Sequence, residues 1–157
     1  TGIRIPTGLY SFTRHTLSFT GPNNKPLTYS AGYDHGGFYT GSSDQLTGSV
    51  SWRKSERITT SAEMRQYWVR LREGDFNTSL LLVRLRYFFS PWLSVQNFVQ
   101  YDTDSRNIGL QSRLRWILKP GQEVYFVLNH EWKENEMDRF EALRTDVRAK
   151  VNYTFRF

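Results

Sequence analysis

The segment Val147-Arg148-Ala149-Lys150-Val151-Asn152-Tyr153-Thr154-Phe155-Arg156-Phe157 decides the fold. Its alternate positions Val147, Ala149, Val151, Tyr153, Phe155 and Phe157 are apolar or aromatic, and the residues between them are charged or polar. Strand side chains point to opposite faces with a period of two, whereas a helix would bring every third or fourth residue together. The segment therefore reads as a strand with one apolar and one charged face. The pattern recurs upstream. Ile108, Leu110, Leu114 and Trp116 oppose Gln111, Arg113 and Arg115, and Leu81, Val83, Leu85, Tyr87 and Phe89 oppose Leu82, Arg84 and Arg86. Val124, Phe126, Leu128, His130 and Trp132 oppose Tyr125, Val127, Asn129 and Glu131.

Taken between turn signals, these alternations predict nine strands. They run over Leu9 to Phe19, Leu27 to His35, Gln45 to Arg53, Arg57 to Trp68, Asn77 to Phe89, Trp92 to Asp102, Asn107 to Leu118, Glu123 to Trp132 and Thr145 to Phe157. Strands of soluble domains cluster at about 5 to 6 residues, and a tilted strand needs about 9 to 11 to cross a bilayer. The expected fold is all-β, an antiparallel transmembrane β-barrel occupying the whole chain, 1–157, as one segment.

Composition excludes the competing classes. The chain has 157 residues, 11 Phe, 9 Tyr and 5 Trp, which is far from the composition of a disordered chain. The longest uninterrupted apolar run, Val124 to Leu128, is far too short for a spanning helix. The absence of Cys removes disulfides, thiolate catalysis and Cys-type zinc sites. No charged-then-apolar leader opens the chain, which predicts a mature or truncated product or a protein that is not exported.

The links carry a second pattern. Gly36 to Asp44, Val69 to Phe76, Thr103 to Arg106 and Lys133 to Arg144 are long or polar, while Lys54-Ser55-Glu56, Ser90-Pro91 and Lys119-Pro120-Gly121-Gln122 are tight. Outer-membrane barrels have short periplasmic turns and longer external loops, so the tight links are expected to be periplasmic. Trp52, Trp92, Trp116, Phe155 and Phe157 then fall at periplasmic strand ends, and Trp68 and Trp132 at external ends. Two such aromatic girdles at the membrane interfaces flank the apolar band of a barrel. Nine strands leave the first and last running in the same direction, so a uniformly antiparallel barrel cannot close with them alone. Single-chain bacterial barrels have even strand counts, which points to a larger barrel of which this is the C-terminal portion.

The stretches Phe89-Ser90-Pro91-Trp92-Leu93-Ser94, Phe98-Val99-Gln100-Tyr101-Asp102, Leu110-Gln111-Ser112-Arg113-Leu114-Arg115-Trp116 and Tyr153-Thr154-Phe155-Arg156-Phe157 carry a likeness to a known family. With Ile5-Pro6-Thr7-Gly8 and Gly37-Phe38-Tyr39-Thr40-Gly41, the chain resembles the C-terminal part of uncharacterised Gram-negative outer-membrane proteins. Members of that family have an N-terminal sandwich similar to a family-nine carbohydrate-binding module, followed by a β-barrel. The resemblance implies an outer-membrane location and a link to carbohydrate, and it supplies no catalytic residues. Phe157, preceded by Phe155 and Tyr153 at two-residue spacing, also resembles the C-terminal signal read by barrel-assembly machinery.

Alternation places Glu63, Arg65, Arg84, Arg86, Gln111, Arg113, Arg115, Glu131, Arg148, Lys150 and Arg156 on the face opposite the apolar one, where they are expected to line the lumen. A cation-rich lumen favours polar or anionic solutes, saccharides included. The favoured function is thus porin-like passage or binding of such solutes. The alternatives are an outer-membrane hydrolase with catalytic residues on external loops, and a structural barrel that anchors a periplasmic carbohydrate-binding domain. No two of His15, His35 and His130 stand at ligand spacing, so neither a metal nor a cofactor is expected. Asp34-His35 invites comparison with an Asp/His dyad, but adjacent strand residues face opposite ways. Nucleic acid is not expected as a partner, because aromatics and arginines lie on opposite faces of each strand. The expected partners are membrane lipid and lipopolysaccharide, the assembly machinery through Phe157, and a protein reached through the external loops.

Overall fold

The computed structural model describes residues 3–135 and 137–154. They form one sheet of nine strands: β1 (Arg14–Thr20), β2 (Leu27–Phe38), β3 (Gly41–Arg53), β4 (Ile58–Leu71), β5 (Gly74–Ser90), β6 (Leu93–Asp102), β7 (Asn107–Lys119), β8 (Gln122–Glu134) and β9 (Phe140–Tyr153). Each strand pairs antiparallel with its sequence neighbours, and the spatial order is β1 to β9 without a crossover. No helix is present among the described residues. β1 and β9 run in the same direction and do not pair with each other among the described residues. Phe155, Arg156 and Phe157, the expected end of the last strand, lie outside the described residues.

The register sorts side chains into two faces. One transverse row runs Trp52, Thr60, Leu85, Asn97, Ser112, Leu128, Val147, each directly opposite the next. Trp52 stands one residue from the end of β3, whereas Ser112 is in the middle of β7. Successive hairpins are therefore displaced along the strands, and the sheet is staggered.

The strand ends differ from the expected ones. The link between β2 and β3 is only Tyr39-Thr40, and that between β4 and β5 only Arg72-Glu73, because pairing runs on through residues that read as loop. On the opposite side, Gly21 to Pro26 separates β1 from β2, and Pro120-Gly121 separates β7 from β8. Link length therefore does not alternate between the two ends of the sheet. The physical reason is main-chain proximity. A Cβ on Gly41 would stand 1.9 Å from the Arg70 carbonyl oxygen, so only glycine lets β3 and β4 stay paired that far up. Conversely, β1 begins at Arg14 rather than Leu9. The Pro120-Gly121 turn is as expected, with Gly121 at φ 86, where a side chain is strained.

The sheet has a single layer, and its strands pack extensively only on their sequence neighbours. Among the described residues no large side chain is fully buried, and the buried apolar residues are Val69, Leu71 and Leu82. All three belong to the polar face. On the apolar face Leu17, Phe19, Met64, Leu81, Phe126, Val147 and Val151 are exposed, Val151 at 69%.

Gly41→Ala is expected to lower the urea midpoint of unfolding by about 1 to 3 kcal/mol equivalent, as overpacking against main chain does. Gly48→Ala, where an added Cβ meets nothing within 4 Å, is expected to be neutral or mildly stabilising. Parallel denaturation curves of the two variants check the contrast.

Candidate functional site: the cationic polar face

Every described residue expected in the lumen lies on one face. The register places Glu63, Arg65, Arg84, Arg86, Gln111, Arg113, Arg115, Glu131, Arg148 and Lys150 together, opposite the apolar set. Arg156 lies outside the described residues. Most hollows of the sheet open on this face, and one of about 450 Å³, lined by Tyr33, His35, Asp44, Trp68 and Arg70, opens on the other. On the polar face, one of about 470 Å³ is lined by Phe98, Gln111, Asn129, Glu131, Asp146 and Arg148, and one of about 380 Å³ by Arg84, Arg86, Gln96, Phe98 and Arg113.

Ion pairs divide these cations into two groups. The Arg65 guanidinium donates to Glu63 at 2.6 Å, and Arg84 lies 3.8 Å from the other oxygen of the same carboxylate. Arg115 donates to Glu123 at 2.6 Å, and Arg148 to Asp146 at 2.7 Å. Arg84 also stands over the Phe98 ring, 5.2 Å from its centroid. These pairs are half-exposed and contribute little to stability. Their effect is on the field, because each removes a free positive charge. Arg86, Arg113 and Lys150 have no ion-pair partner among the described residues.

Asp146 lies within the expected strand Thr145 to Phe157 but is not among the residues assigned to the polar face from the sequence. In the structure β9 begins at Phe140, and Asp146 opposes Asn129. Arg14 and Arg144 also join the polar face: Arg14 opposes Gly36 and binds Asp34, and Arg144 opposes Glu131.

A second cluster stands at one end of the apolar face, and only the register reveals it. Asp44 on β3 is directly opposite His35 on β2 and Trp68 on β4. Its carboxylate accepts from the Tyr33 hydroxyl at 2.5 Å, meets His35 Nδ1 at 2.7 Å, and lies 3.2 Å from the Arg70 guanidinium. It is 7% exposed, the most buried charged group among the described residues. Asp34 takes no part: it binds Arg14 and accepts from Thr16 at 2.6 Å on the opposite face. His15 is directly opposite His35, a proximity that linear spacing hides. No group of three or more His, Cys, Asp or Glu able to hold a metal occurs among the described residues.

The tryptophans fall at the two ends of the sheet. Trp52 and Trp116 lie near the ends of β3 and β7 with Trp92 in the β5–β6 turn, while Trp68 and Trp132 lie near the far ends of β4 and β8. The register puts Trp52, Trp68, Trp116 and Trp132 on the apolar face. Phe155 and Phe157 lie outside the described residues. No protein-family pattern matches the chain, and no curated protein matches its sequence.

Asp44→Ala is expected to destabilise the β2–β3–β4 corner by about 1 kcal/mol, the usual net worth of a hydrogen-bonded pair. Arg148→Gln should change stability by less than half of that, since its pair is exposed. Amide hydrogen exchange should show the loss confined to Tyr33 to Asp44 and Trp68 to Arg70.

Proposed function

We propose that this chain is a transmembrane β-barrel segment of a Gram-negative outer membrane, with its apolar face toward lipid and its cationic face lining an interior that passes or binds polar and anionic solutes. One observation carries the reading. The sheet is one layer thick, its apolar face carries exposed large apolar side chains on every strand but β6, and most of its hollows open on the polar face. In water such a face would be a large uncovered apolar patch, which soluble monomers avoid. A soluble lipocalin-like barrel would carry the apolar face on the concave side, the reverse of this arrangement.

Further support comes from strand length and from the tryptophans. Seven of the strands, β2, β3, β4, β5, β7, β8 and β9, have 12 to 17 residues, enough to cross the hydrocarbon at a tilt. Tryptophans at both ends of the apolar face match the headgroup levels. The short Tyr39-Thr40 and Arg72-Glu73 links remove loop length as a guide to sidedness, and they leave little room for a hydrolytic site in loops at that end. Saccharides stay within the proposed solute class because amides (Gln96, Gln100, Gln111, Asn129) share the face with the arginines. The likeness to a family with a carbohydrate-binding sandwich points the same way. Membrane lipid, lipopolysaccharide and the assembly machinery are the partners this reading entails.

A specific observation favours a second reading. Five of the face's arginines, Arg14, Arg65, Arg84, Arg115 and Arg148, are held by carboxylates, as in a filled interior, and in that case the barrel acts as an anchor.

The faces are told apart by one pair of variants. Leu114→Arg should cost about 2 to 4 kcal/mol in lipid or detergent, while Gln111→Arg should be tolerated. Folding titrations in vesicles measure both, and equal costs would reject the assignment of faces. In planar bilayers, Arg113→Gln with Arg115→Gln should shift the reversal potential of an anion-selective pore toward zero. Absence of conductance with loss of stability instead would select the anchoring role.

A further inference from the structure

We infer that Arg86, Gln96 and Arg113 form a subsite for a compact oxyanion carrying two charges, of phosphate chemistry. The inference rests on the reading of the polar face as a solvated interior, and it names the ligand class and the place on that face.

Arg86 is directly opposite Gln96, and Gln96 is directly opposite Arg113. Strands lie about 4.8 Å apart, so the two arginine backbones stand about 10 Å apart, with the glutamine between them. Both guanidinium groups can lean over the Gln96 amide from opposite sides. The transverse row continues through Thr59 on one side and Val127 and Arg148 on the other, and it contains no carboxylate. Asp146, the acid on the neighbouring row, is engaged by Arg148, and of the acids two rows away Glu63 is held by Arg65 and Arg84, Glu123 by Arg115, and Glu131 accepts from the Asn107 amide. Arg86 and Arg113 thus keep their full charge, line the same hollow of about 380 Å³, and are both exposed to it.

Two neighbouring cations without a counter-charge repel each other, and a dianion between them removes that repulsion. Each guanidinium offers a planar fork of donors that matches phosphate oxygens two at a time, and the Gln96 amide adds donors between the forks. Phosphate carries about 1.5 to 2 negative charges at neutral pH, which matches two arginines better than chloride or a monocarboxylate does. Rings of Arg or Lys are the means by which pores admit anions and phosphate.

The test is titration of inorganic phosphate into the full chain folded in a phosphate-free, non-ionic detergent, followed by calorimetry and ³¹P line broadening. Saturable binding is expected, competed by sulfate and not by acetate. It should be tighter at about pH 7.5 than at about pH 5.5, because phosphate loses its second charge below a pKa of about 6 while the arginines stay charged. Sulfate, a dianion at both values, should show no such change. Arg86→Gln and Arg113→Gln should each weaken phosphate about tenfold or more, the loss of one charge-assisted contact. Arg72→Gln, in the β4–β5 link away from the site, should leave it unchanged, and Gln96→Glu should abolish it by pairing both arginines internally. Circular dichroism checks that each variant keeps its sheet. No saturable binding by the folded chain, or equal binding by wild type and both arginine variants, overturns the subsite. If the Leu114→Arg and Gln111→Arg contrast holds in that case, only the subsite falls. If that contrast fails as well, the polar interior itself is wrong.

Discussion

The structure depends on one constraint: each strand can satisfy its main chain only through the strands beside it. No second layer of strands covers the sheet, and among the described residues no large side chain is fully buried. Cohesion comes from the antiparallel ladders and from cross-strand side-chain pairs, which are the stabilising unit of any sheet. A soluble domain adds to this a core between layers, and the hydrophobic term of that core dominates its stability. Here one face is apolar and covered by no second layer. Under the proposed reading its contribution comes from an apolar environment outside the protein, which the bilayer would supply. The buried apolar residues, Val69, Leu71 and Leu82, sit on the other face.

The same constraint fixes the chemistry of the polar face. Because the period is two, slipping one ladder by a single residue would bring Arg113 and Arg115 to the apolar face and Leu114 to the polar one. Register and charge placement are therefore one property. The carboxylates Glu63 and Glu123 each hold an arginine of the neighbouring strand, Arg84 and Arg115, and these cross-strand pairs act against slippage even where they add little stability. The Asp44 cluster does this at one end of the apolar face, tying three strands through a single carboxylate. At that level near Trp68, a charge sits beside the proposed headgroup layer rather than in hydrocarbon.

Face membership was legible in the sequence, because alternation is a local property that any window of residues reveals. Strand ends were not. Gly36, Gly37, Gly41, Ser42, Ser43 and Asp44 read as a loop, since glycine, serine and aspartate mark turns. They continue the sheet because their small size lets main chains approach. Proximity across strands was the other blind spot. The His35–Asp44 contact and the opposition of His15 to His35 depend on a turn of Tyr39-Thr40 and on the β1–β2 register, neither of which spacing in the chain gives. For the same reason the arginine inventory was legible while its division into paired and unpaired members was not. Asp146 and Arg148 share a face of one strand, but alternation does not say that their side chains meet.

The edges follow from these same requirements. β1 and β9 each present one side of their main chain without a partner strand among the described residues. In water such groups are solvated at little cost, but in hydrocarbon each unmet N–H or C=O costs several kcal/mol, and only a closed ladder avoids it. The two edges run in the same direction, so they cannot close antiparallel on each other. A uniformly antiparallel closure in the proposed membrane setting would take an odd number of further strands. Those strands must alternate in phase with Val147 and Val151 on one side and with Leu17 and Phe19 on the other, or their own apolar residues would face the arginines. Closure, direction and face are thereby set by β1 and β9, whatever the intervening strands contain.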